Sequence, residues 1–201
     1  MLKDRVKEYI EEELKGSSSQ EVVLYNKEKE FAVKHELVPQ GVTVAEKSSH
    51  ARFTDAYIER VDKESENLIS EESPAAFLNE SIQYVNQHQA EFIYIECDSF
   101  DLIRVEGVSV ELDDVFRTYK VLLGLRQPKK AASTLKTFLT NELKEGQASF
   151  QLLFNDKDGM WDVNIDLAAI EGFNEELSLR ETFELIYDFL FQLVQSVEEN
   201  S

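Results

Sequence analysis

The chain has 201 residues, 42% of them hydrophobic, which is enough to bury a substantial core without disulfides or metals. Forty Asp and Glu stand against 21 Lys and Arg, a formal charge of -19. That charge repels phosphate backbones and anionic headgroups, so it argues against nucleic-acid and membrane-surface binding and suits a partner with a basic patch. The single Cys97 lies beside the apolar run Phe92 to Ile95 and reads as a small buried thiol. Met1 leads directly into charged residues and no apolar run approaches a bilayer span, so a cytoplasmic location is expected.

Leu2, Val6, Tyr9, Ile10 and Leu14 recur at helical spacing and Gly16 is a stop signal, which predicts an opening amphipathic helix. Ser17, Ser18 and Ser19 read as a linker. Val22 to Tyr25 read as a strand, Asn26 to Lys29 as a turn, and Phe31, Val33, His35 and Leu37 alternate as a second strand. Residues 39–73, rich in Ser, Glu and Lys, read in part as an exposed loop whose main apolar content is Tyr57, Ile58 and Val61. Ser73 and Pro74 predict the start of a helix carried by Leu78, Ile82 and Val85. Phe92 to Ile95 predicts a central strand, and Leu102 to Val110 another with a bulge at Gly107. Asp113 or Asp114 is the expected cap of a helix bearing Val115, Phe116, Tyr119, Leu122 and Leu123, closed by Gly124.

Ala131, Leu135, Phe138, Leu139 and Leu143 match the opening helix at a constant offset. The match extends from Glu13, Leu14 and Lys15 to Glu142, Leu143 and Lys144, and from Leu24, Tyr25 and Asn26 to Leu153, Phe154 and Asn155. After one inserted residue, Phe31, Val33, His35 and Leu37 pair with Trp161, Val163, Ile165 and Leu167. The expected fold is therefore α+β: two related helix plus β-hairpin units, residues 1–127 and 128–201, with additional helices packed on antiparallel sheet in one compact structure. Burial alone imposes much of the same periodicity, so the alignment is open to a reading without duplication.

The last predicted helix opens on a capping box, Ser178 to Glu181, and runs to about Glu198. Phe183, Leu185, Ile186, Tyr187, Phe189, Leu190, Phe191, Leu193 and Val194 occupy nearly its whole circumference. Such a helix is buried between layers, or one face meets another chain, a second copy included.

Chemistry-bearing patterns are sparse. His35, His50 and His88 stand apart with no metal-ligand spacing, and there is no phosphate loop, nucleophile elbow or dinucleotide fingerprint. Asp156-Lys157-Asp158-Gly159 lacks the remaining ligands of a calcium loop and reads as a hairpin turn. Asp98, Asp101, Asp113 and Asp114 are accounted for as turn formers and caps, and Arg126, Lys129, Lys130 and Lys136 as a solvated basic island. No catalytic, cofactor-binding or metal-binding residue is assigned.

Residues 128–198, with Phe154-Asn155 and the run Trp161 to Leu167, resemble the small acidic secretion chaperones, cytoplasmic dimers that hold an extended partner segment on a sheet and helix surface. Residues 57–125 are similar to bacterial proteins carried under the name of branched-chain aminotransferases. That name implies pyridoxal phosphate on a Schiff-base lysine, whose motif this chain lacks, so no residue is carried over.

The expected function is an acidic interaction protein, chaperone-like and without chemistry of its own, binding another polypeptide of basic character through a groove or sheet edge. Trp161, Tyr187, Phe189, Leu190 and Phe191 are the candidate contacts, since aromatic anchors carry most interface energy, although core burial is the ordinary reading of each. The alternative is an enzyme or small-molecule binder with a carboxylate-lined cleft between the two units. An acidic mimic of nucleic acid would also fit the charge.

Overall fold

A computed structural model describes residues 1–16, 20–144 and 146–200. The Ser17 to Ser19 linker lies outside the described residues. Contacts divide the chain into two units, Met1–Arg52 and Phe53–Ser201. Among the described residues, no helix is long and apolar enough to cross a membrane.

In the first unit, helix α1 (Leu2–Gly16) buries Leu2, Val6 and Ile10, one face of the predicted amphipathic pattern. Strand β1 (Glu21–Leu24) follows with Val22 and Leu24 inside. The second strand expected over Phe31 to Leu37 is instead a helix, α2 (Asn26–Lys34). Helix formers Lys, Glu and Ala fill the segment, and Glu28, Phe31 and Ala32 form a buried helical stripe while Val33 stands exposed. Alternation and helical periodicity both fit so short a run, and α-propensity decides. Strand β2 (Thr43–Glu46) pairs parallel with β1, so the first unit is helix, strand, helix, strand and has no hairpin to match residues 150–166. The expected correspondence of two helix and hairpin units therefore does not extend past the helix and first strand.

The second unit is built on a seven-stranded antiparallel sheet of strand order β4-β3-β5-β6-β7-β9-β8. Its strands are β3 (Tyr57–Asp62), β4 (Leu68–Glu71), β5 (Glu91–Glu96), β6 (Val105–Leu112), β7 (Tyr119–Leu125), β8 (Phe150–Asn155) and β9 (Met160–Asp166). The sheet takes strands from both sides of residue 127, where the sequence suggested a boundary. Residues 39–73, expected in part as an exposed loop, contain β2, β3 and β4, and the expected helix over Val115 to Leu123 is the turn into β7 and its first residues. There Tyr119, Val121, Leu123 and Leu125 alternate inward, a period of two. Asp113 does cap backbone, but of a hairpin turn: its Oδ1 accepts from the N–H of Val115 at 2.9 Å and of Phe116 at 2.7 Å. An Asx turn and a helix N-cap use the same local bond, so the sequence signal is shared.

The predicted helix after Ser73 is present in two short pieces, α3 (Pro74–Phe77) and α4 (Gln83–Gln87). Helix α5 (Asp98–Leu102) links β5 to β6, and the bulge foreseen at Gly107 is a register shift between Val105 and Val108. Residues 128–198 run as predicted: α6 (Ala132–Glu142), the β8–β9 hairpin and α7 (Leu179–Glu199). The hairpin turn is Asp156 to Gly159, where Asn155 Oδ1 accepts from the Lys157 N–H at 3.0 Å and Gly159 adopts a φ of 69°. Helix α7 opens on the capping box between Ser178 and Glu181.

The core of this unit is one face of the sheet with its helices. Ile58, Ile95, Val108, Leu123 and Val163 form one cross-strand row, and Ile93, Val110, Val121 and Ile165 the next, all buried. Phe100 of α5 stands 5.9 Å from Tyr187 of α7, and Phe138 of α6 stands 5.6 Å from Phe189. Arg60 also lies on this face, its charge matched by Glu91 at 2.9 Å and Glu72 at 3.0 Å. That three-way pairing ties β3, β5 and the end of β4 together.

Candidate functional site

Antiparallel strands present every second residue to the opposite face, and here that face stays half-exposed or exposed along most of its length. Its central row crosses the whole sheet: Glu71, Glu59, Tyr94, Ser109, Leu122, Asn164 and Gln151. The next row is Leu68, Val61, Phe92, Glu111, Lys120 and Asp166. Two hollows lie on this face, of about 470 and 800 Å³, and share Tyr94 and Ser109. The two hollows adjoin across Tyr94 and Ser109.

Two glycines shape the floor of this face. A Cβ on Gly107 would come within 2.6 Å of the Tyr94 ring, and one on Gly124 within 2.8 Å of the Met160 sulfur. Large side chains therefore lie flat across the backbone where no Cβ stands. Gly107→Val is expected to drive Tyr94 from its seat and cost about 1–3 kcal/mol, as overpacking does. Urea unfolding checks this, and adding Tyr94→Ala should restore part of the loss.

The tripeptide Tyr-Ile-Glu occurs twice, at 57–59 and 94–96, and β3 and β5 pair so that the copies oppose each other: Tyr57 with Glu96, Ile58 with Ile95, Glu59 with Tyr94. The isoleucines are buried and the polar residues form a checkerboard of two tyrosines and two carboxylates on the open face. Each tyrosine hydroxyl donates to the glutamate two residues along its own strand. The bond to Glu59 pushes the Tyr57 hydroxyl up to about 12. For Tyr94, burial is the larger cause of an upward shift, followed by the bond to Glu96 and the charges of Glu96, Glu106 and Glu59. Both phenols therefore remain neutral donors.

Cations on the face are already engaged. Lys120 pairs with Asp166, Lys63 with Asp114 at 3.3 Å, and Arg126 with Glu106. Among the described residues no ion pair reaches Glu59, Glu71 or Glu96. Burial raises the Glu111 carboxyl from its usual range, against the lowering effect of Lys63. No three His, Cys, Asp or Glu side chains among the described residues converge as a metal-holding group.

Trp161, Tyr187, Phe189, Leu190 and Phe191 are in the interior, the most accessible of them, Phe189, only 8% exposed. Trp161 faces the core side of β9, its ring 4.9 Å from Phe154. Helix α7 resolves its over-apolar circumference by burial within the chain. Tyr57, Phe92 and Leu122 stand out in the sequence as apolar positions, but their shared face does not, although the repeated Tyr-Ile-Glu is visible there. In the basic island, Lys129 pairs with Asp156 at 2.6 Å and Arg126 with Glu106, so these two cations neutralise adjacent carboxylates.

No protein-family model, curated protein or solved structure matches the chain at a significant level.

Proposed function

We propose that this chain is a cytoplasmic, chaperone-like interaction protein that holds another polypeptide on the open face of its sheet and adds no chemistry of its own. The observation that carries the reading is a seven-stranded sheet with one buried face and one accessible face, on which Tyr57, Phe92, Leu122 and Leu153 are set among carboxylates. Accessible apolar area of this kind is where proteins meet partners. The hydroxyls of Tyr57 and Tyr94 are committed to Glu59 and Glu96 and held protonated, which suits recognition and not nucleophilic attack. The order α6, β8, β9, α7 also agrees with the secretion-chaperone resemblance of residues 128–198. A reducing compartment accords with the lone thiol of Cys97.

Peptides selected by display on the full chain test this reading against Leu122→Arg and Leu153→Arg. Leu153 is 66% exposed and Leu122 half-exposed, so both variants should fold. Binding is expected to weaken about tenfold or more in each, the effect of losing an apolar anchor. Selected peptides that bind both variants as tightly as the parent would remove the open face from the function.

A further inference from the structure

We propose that the open face docks an extended segment bearing a basic-x-basic pattern, its Lys or Arg side chains over the Tyr57/Glu96 and Glu59/Tyr94 pairs. This rests on the polypeptide-binding reading above and names the chemistry of the partner.

Charge complementarity selects the occupant. Glu59, Glu71 and Glu96 stand around the two tyrosines with no ion pair among the described residues, and the sequence as a whole carries -19. A second copy of the chain would lay the same carboxylates against these, and like charges across an interface are costly. A nucleic acid is repelled for the same reason. A purely apolar segment would desolvate the carboxylates and give nothing back. A lysine or arginine resolves the problem, because its charge meets a carboxylate while the tyrosine ring beside it offers a cation–π face.

Spacing selects the pattern. Tyr57 and Tyr94 are diagonal neighbours in the β3–β5 register, which sets them roughly 7–8 Å apart. An extended chain presents alternate side chains on one side at about 7 Å, twice the rise per residue. Cations at positions i and i+2 of a strand-like segment therefore fall one to each tyrosine–glutamate pair, and the intervening residue points away from the sheet. The two opposed copies of Tyr-Ile-Glu present like groups to both cations.

The test uses the full chain and three labelled peptides of about ten residues, the length of a long strand. One alternates Lys with Leu and Phe, the second replaces every Lys with Gln, and the third with Glu. Fluorescence anisotropy is expected to show the Lys peptide binding at least about tenfold more tightly than the Gln peptide, an advantage that shrinks as salt is raised to roughly 0.5 M. Glu59→Gln combined with Glu96→Gln should cost the Lys peptide about tenfold while leaving thermal unfolding unchanged. Tyr57→Leu, at a 41% exposed position, should also weaken it while preserving apolar area.

If the Gln peptide binds as tightly as the Lys peptide and the glutamate variants change nothing, the basic-x-basic partner is overturned while the open-face reading stands. Preference for the Glu peptide, or light scattering that shows the chain pairing with itself through this face, also overturns it. Should the Lys peptide's affinity survive both the glutamate substitutions and Leu122→Arg, the inference and the reading beneath it fall together.

Discussion

Phe183→Ala is expected to lower the unfolding free energy by about 3–5 kcal/mol, the cost of removing a fully buried aromatic ring and leaving a cavity. Phe183 has no exposed surface, and its ring meets Phe53 edge-on at 6.2 Å on helix α7. The residues around it are fixed by several elements, since Phe53 also contacts Phe100 of α5. The cavity therefore cannot close by moving one side chain, which places the cost toward the upper end of its range. Urea unfolding should show a lower midpoint with an unchanged slope. A loss below about 1 kcal/mol would mean that α7 does not anchor the core, because exposed or loosely packed rings lose little on truncation.

Glu28→Ala is expected to cost about as much, roughly 3–5 kcal/mol, for an electrostatic reason. Arg52 reaches Glu28 through two bonds, Nη1 to Oε1 at 2.6 Å and Nη2 to Oε2 at 3.0 Å, with side chains only 4% and 1% exposed. The guanidinium also lies 4.0 Å over the Tyr25 ring. Truncating the glutamate removes the carboxylate that meets the buried guanidinium through two bonds, and with it much of what offsets the desolvation of that charge. Replacing both partners, Glu28→Ala with Arg52→Met, should recover most of the stability, because a buried pair as a whole is worth little over apolar residues. Calorimetry of the single and double variants separates the outcomes. If the double variant is as damaged as the single one, packing and not charge governs the site.

These two sites differ in how far the sequence exposes them. The existence and bounds of α7 could be read from its capping box and apolar circumference, while the choice between burial and an interface needed the packed structure. The Glu28–Arg52 pair could not be read, since it joins α2 to a residue 24 positions away and each residue alone looks like surface charge. Residues 26–34 illustrate a second limit: Phe31 and Val33 alternate as in a strand, but only the burial of Glu28, Phe31 and Ala32 shows which period rules. The converse holds at Tyr119 to Leu125, where a helical stripe through Leu122 was a coincidence of a strand whose outward positions include a leucine.

The open face was hidden for a related reason. A strand with both faces apolar stands out, whereas β3 alternates Tyr57 and Glu59 outward with a paired Arg60 inward, so it reads as polar loop. Its register with β5 turns two ordinary tripeptides into a checkerboard, and register is a long-range property. The predicted helix–hairpin–helix of residues 128–198, by contrast, depends on local turn chemistry at Asn155 to Gly159 and was legible throughout.

The strand order carries a consequence for how the chain folds. Each neighbouring pair in β4-β3-β5-β6-β7-β9-β8 joins strands that are consecutive or next but one along the chain. No pairing has to bring the first strand to the last, so loop-closure entropy is spent in modest steps. The β6–β7 hairpin is central and closed by the short turn at Asp113, so strands can add on both sides of it by short connections until β4 and β8 complete the edges.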